Sequence, residues 1–108
     1  LGFRVVIVPM PGNLALNGAD RALGLMTDDI PKWFLGGHSM GGAMAALFAF
    51  ENPELEKLAG IILWAAYPDG ANSLEASEIP VLSIAGDYDG VATPEEVEAG
   101  KAYLPAVV

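Results

Sequence analysis

Gly37-His38-Ser39-Met40-Gly41 sets a serine between two glycines at the junction of two contrasting stretches. Before it runs Lys32-Trp33-Phe34-Leu35-Gly36, which reads as a strand. After it comes a small, apolar segment from Met40 or Gly41 to about Phe50, which reads as a helix. A serine at such a strand-to-helix turn is a candidate nucleophile toward a carbonyl carbon. The turn is tight enough to strain the serine backbone, at a cost on the order of 1–3 kcal/mol. Side chains two positions to either side would collide, which predicts a steric need for Gly37 and Gly41. The Ser39 hydroxyl would then stand above the sheet at the positive end of a helix dipole. The Met40 N–H would face negative charge developing on the attacked oxygen.

The plain alternative is a glycine-rich turn whose serine is inert. Phosphate binding is a weaker alternative, because no lysine follows the glycines. A serine also needs a base to take its proton. His38 is the single histidine and adjoins Ser39. Successive side chains leave a tight turn in different directions, so His38 is not assigned as that base.

The composition narrows the field. The 108 residues are 53% hydrophobic and 18% charged, which suits a sheet covered on both faces. Fourteen acidic residues against five basic ones give a net charge of −9. Such a surface repels nucleic-acid backbones and anionic lipid. The chain contains no cysteine, which excludes disulfides and thiolate chemistry, and one histidine makes a histidine-rich metal site impossible. No apolar run approaches the roughly 20 residues of a membrane span. Both termini read as cut, which predicts one incomplete domain over 1–108.

Hydrophobic runs alternate with helix-like segments, the pattern of a mainly parallel sheet with crossover helices, an α/β fold. Strands are predicted at Phe3–Val8, Lys32–Gly36, Gly60–Trp64 and Val81–Ala85. Residues 10–17 read as a loop, and a short helix is predicted over Ala19–Met26. The long helix should bury Met44, Leu47 and Phe48, with Ala43, Ala45 and Ala46 allowing close approach to the strands. Asn52-Pro53 should end it. Thr93-Pro94-Glu95-Glu96 reads as a capping box opening a helix to about Leu104, weakened by Gly100. Trp33, Phe34, Trp64 and Tyr67 read chiefly as core, with pocket lining as the alternative. Met10, Asn13 and Leu14 are candidates for a pocket border.

The serine turn, the strand Phe3–Val8, the strand Ile61–Tyr67 and the stretch Ile84-Ala85-Gly86-Asp87-Tyr88-Asp89-Gly90-Val91-Ala92-Thr93-Pro94 together resemble the α/β-hydrolase superfamily. The nearest likeness is to its compact bacterial serine hydrolases, the branch related to dienelactone hydrolases. The resemblance implies a partial α/β-hydrolase fold and cleavage of an ester, lactone or related acyl bond in a small-molecule substrate. It implies a Ser39 acyl-enzyme and no metal or organic cofactor. A non-catalytic binding module of the same fold, or an acyltransferase using the same serine, are the competing functions.

In that family the acid follows the next-but-one strand after the serine, often as G-x-x-D. Gly86-Asp87-Tyr88-Asp89 matches and points to Asp89, with Asp69 and Asp87 as alternatives. The resemblance puts the base on a loop beyond Val108, and the second oxyanion donor on a strand before Leu1. That strand would lie between Phe3–Val8 and Lys32–Gly36. The two should therefore stand about two strand spacings apart, ~9–10 Å, or pair directly at ~4.8 Å if they have collapsed together. Lacking a base, residues 1–108 are expected to be close to inert.

Overall fold

The computed structural model describes residues 2–8, 18–68 and 70–105, with the side chains of 18–20 left out. Three helices and three strands are described, in the order α1 (Gly18–Leu25), β1 (Trp33–His38), α2 (Met40–Glu51), β2 (Leu58–Trp64), β3 (Val81–Ile84) and α3 (Pro94–Gly100). Short 3-10 turns occupy Gly70–Asn72 and Lys101–Tyr103. The strands form one parallel sheet in the order β1-β2-β3. Leu35 pairs with Ile61 and Gly37 with Leu63, while Ile61 pairs with Val81 and Leu63 with Ser83. Parallel pairing requires crossovers, and α2 supplies the one between β1 and β2.

The sheet has two unlike faces. Trp33, Ile61 and Leu63 are buried on the α2 side, with Leu35 and Val81 packed against them. Phe34, Trp64, Leu82 and Ile84 are exposed on the other. Among the strand aromatics, then, Trp33 belongs to the core, where its Nε1 donates to the Thr27 carbonyl at 3.1 Å. Phe34 and Trp64 do not.

The predicted burial stripe on α2 is shifted. Its buried residues are Gly42, Ala45, Ala46, Phe48 and Ala49, whereas Met44 and Leu47 are only partly covered. The helix is apolar almost all round, so hydrophobic spacing alone could not choose its face. Ala45 and Ala46 let the helix axis come close to the strands as the sequence implied, and Phe48 is buried beside them. The helix ends at Asn52 as expected, with the Asn52 N–H and Nδ2 both donating to the Phe48 carbonyl.

Residues 3–8 do not form the predicted strand. Among the described residues no hydrogen bond pairs them with β1, so direct pairing is excluded. A strand exists only with a partner for its ladder, and here the flank is an open space instead. A cavity of about 290 Å³ is lined by Val6, Ile7 and Val8 and, opposite, by Phe34, Leu35 and Gly36. A second, of about 180 Å³, continues past Arg4 and Trp33. Val8 packs on the core. Arg4 reaches Thr27 Oγ1 at 3.3 Å and Asp29 at 3.4 Å. The Asp29 carboxyl is held below its ordinary value by the Thr27 hydrogen bond and, further, by Arg4, against a partial loss of hydration. The predicted loop at 10–17, with Met10, Asn13 and Leu14, lies outside the described residues.

Candidate active site

Ser39 is the residue at which β1 becomes α2. Its backbone sits at φ 54°, ψ −119°, a conformation that non-glycine residues rarely adopt. Two bonds hold it there. Its N–H donates to the Trp64 carbonyl at 2.8 Å, and its own carbonyl accepts from the Ala43 N–H at 3.1 Å. The side chain is exposed, not buried in packing. As the first residue of α2, Met40 has an N–H without an acceptor inside the helix.

The steric demand predicted at residue 37 is severe. A Cβ there would stand 2.2 Å from the Gly41 carbonyl carbon and 2.3 Å from its oxygen. Gly41 is thus the surface that residue 37 packs against. Gly42, part of the turn that carries the resemblance but given no steric role from sequence, is equally confined: a Cβ would lie 2.5 Å from the Ala66 Cβ and 2.8 Å from the Gly37 carbonyl oxygen. The doubled glycine was visible in the sequence, but the reason for its second half lies 24 positions away at Ala66 (66 minus 42).

Asp89 sits half-buried in the loop between β3 and α3. Its Oδ1 accepts from the Val91 N–H at 2.9 Å and the Ala92 N–H at 3.0 Å. Its own N–H donates to the Gly86 carbonyl at 3.2 Å. The local turn therefore occupies one carboxylate oxygen, and Oδ2 makes no hydrogen bond with a described residue. Asp87 is exposed on the same loop. Asp69 lies outside the described residues.

Parallel strands put their carboxyl ends on one edge, where open α/β sheets build sites. Ser39 leaves β1 at that edge and Asp89 follows β3 there. β2 lies between the two strands that they follow. An imidazole with a hydrogen bond at each nitrogen bridges roughly 7–8 Å. A histidine linking a serine to a carboxylate needs the two about that far apart. The His38 ring packs edge-to-face on Trp64, with centroids 5.1 Å apart and planes at 73°.

Ala65 also went unremarked in the sequence. It follows β2, is buried, and has a φ of 52°. Its N–H donates to the Ile84 carbonyl at 2.7 Å, just as the preceding residue accepts from Ser39. Two left-handed residues therefore stand side by side at the carboxyl edge. Nothing in the local sequence marks Ala65, because an alanine carries no turn signal.

Fold and site together define an α/β protein with a serine mounted on a strained strand-to-helix turn. A family model described as the alpha/beta hydrolase family matches residues 1–107. The chain belongs to that family, which supports a hydrolase-like function. No curated protein and no solved structure matches it. No helix among the described residues is long and apolar enough to cross a membrane.

Proposed function

We propose that the protein is a serine hydrolase that cleaves an ester, lactone or related acyl bond through an acyl-enzyme on Ser39. The observation that carries this reading is the strained, solvent-facing turn at Ser39. Strain of this kind persists only where the surroundings over-determine it, and it clusters at functional positions. Ser39 Oγ attacks the substrate carbonyl while a histidine supplied from beyond Val108 takes its proton. The Met40 N–H stabilises the oxyanion, in concert with a donor from a segment before Leu1. Asp89 orients the histidine through its free Oδ2. The tetrahedral adduct collapses, and the imidazolium returns the proton to the departing alkoxide. Water, deprotonated by the same histidine, then releases the acid and restores Ser39. No metal or organic cofactor takes part.

The test uses the natural full-length protein and a fluorescent organophosphonate ester. Ser39 should be labelled, with the adduct mapped by peptide mass spectrometry, and Ser39→Ala should lose the label. Equal labelling of that variant would remove the proposal. A protein that labels but returns no free acid from acyl esters, passing the acyl group to an added alcohol or amine instead, would be an acyltransferase with the same nucleophile.

A further inference from the structure

We infer that Tyr67 is a positioning residue, clamping α3 so that the loop bearing Asp89 is held at the carboxyl edge of the sheet. The inference rests on the assignment of Asp89 as the acid, made above.

Tyr67 is the third residue after β2, and its side chain meets α3 at both ends. At the first turn, its hydroxyl donates to Glu96 Oε2 at 3.0 Å. At the last residue, its stem lies on Gly100. A Cβ at position 100 would stand 2.4 Å from the Tyr67 Cβ and 2.7 Å from its Cγ. The helix-weakening glycine thus has a reason that lies outside the helix. Any side chain there would push the tyrosine off.

The Glu96 carboxylate is diverted to make this contact. Half of the expected capping box forms, with Thr93 Oγ1 accepting from the Glu96 N–H at 3.2 Å. In a full box Glu96 would reach back to the Thr93 N–H. Here it accepts from Tyr67 instead. The hydrogen bond to Glu96, and then its negative charge, hold the Tyr67 phenol above its ordinary value, so it stays a donor throughout the neutral range.

The loop itself is a chain of short-range bonds: Asp89 to Gly86, Val91 and Ala92, then Thr93 to Glu96. Such a loop keeps its shape but takes its orientation from its two ends. The entry is pinned by β3, where the Ile84 carbonyl accepts from Ala65. The exit is α3, and Tyr67 ties α3 to the end of the central strand. Tyr67 therefore sets where the carboxylate stands relative to Ser39, without touching either. A triad tolerates only about 0.5 Å of displacement, so a loosened α3 reaches the chemistry.

The experiment follows the rate at which the natural full-length protein reacts with the organophosphonate, across pH. Tyr67→Phe should slow labelling by roughly three- to tenfold, the net worth of one hydrogen bond. It should also move the acidic limb of the profile to lower pH, because a misplaced carboxylate stabilises the imidazolium less. Glu96→Gln keeps an acceptor for the hydroxyl and should retain most of the rate, whereas Glu96→Ala should match Tyr67→Phe. Asp89→Asn is the control for the underlying assignment. If it slows labelling while Tyr67→Phe and Glu96→Ala leave rate and profile unchanged, the clamp is overturned and the acid stands. If Asp89→Asn labels at the wild-type rate, the acid assignment fails and takes the clamp with it. Thermal unfolding of each variant separates the two roles. A rate loss that merely tracks the unfolded fraction, with the profile unmoved, also overturns positioning.

Discussion

The serine turn and the acid loop stand at the same edge of the sheet and are built in opposite ways. At the turn, position is enforced by missing side chains. Gly37 and Gly42 bring backbones so close that the chain has one path through Ser39, and distant Trp64 and Ala66 complete the constraint. At the acid loop, position is enforced by side-chain oxygens. Asp89 and Thr93 each satisfy backbone N–H groups within three residues of themselves. The first device stores strain and tolerates no added atom. The second is nearly strain-free and fails when an oxygen is removed.

That contrast predicts unequal sensitivities. Gly37→Ala should be the most damaging change, since its methyl would overlap backbone atoms that cannot rotate away. Overpacking usually costs 1–3 kcal/mol, and backbone overlap places this case above about 3 kcal/mol. Urea denaturation measures it, and a loss under about 1 kcal/mol would show the turn to be looser than its geometry implies. In the acid loop, Thr93→Ala removes a helix cap and should cost about 1 kcal/mol. That change should slow Ser39 labelling no more than Tyr67→Phe does, because it loosens the loop that carries Asp89 and leaves the serine turn intact. A loss as large as that of Gly37→Ala would break the comparison.

The smallest effect should come at Ala65, which lies between the two regions. Relief of a left-handed alanine is worth about 1–2 kcal/mol. The lost buried methyl, worth about 0.8 kcal/mol, and the added chain entropy of glycine offset most of it. Ala65→Gly should therefore change stability by less than about 0.5 kcal/mol. Ala46→Gly, buried on α2 with ordinary helical backbone, should cost more than about 1 kcal/mol. Thermal melts of the pair decide whether Ala65 is truly strained.

Legibility followed the range of the interactions concerned. The turn at Ser39 was visible because its glycines, its strand and its helix all fall within about twenty residues. The cap at Thr93 was visible for the same reason. Residues 3–8 misled because β-branched residues report a fitness for strand, while a ladder needs a neighbour, and none of the described residues pairs with them. Met44 and Leu47 misled because α2 is apolar on every side, whereas Ala45 and Ala46 were legible as the small residues that let the helix approach the strands. The partnership of Tyr67 with Glu96 and Gly100 spans some thirty residues of chain and left no local trace beyond an apparently misplaced glycine.

By itself, then, the amino-acid order determined the α/β class, the strand-to-helix junction at Ser39 and the capped start of α3, since each depends on sterics or hydrogen bonds among near neighbours. Tertiary structure decided that Met44 and Leu47 stay only partly covered, that residues 3–8 pair with no strand among the described residues, that Gly42 and Ala65 carry close approach and strain, and that Ser39 and Asp89 share one edge. These are consequences of strand register and of contacts between segments brought together only by folding. No local preference of the chain encodes such distances.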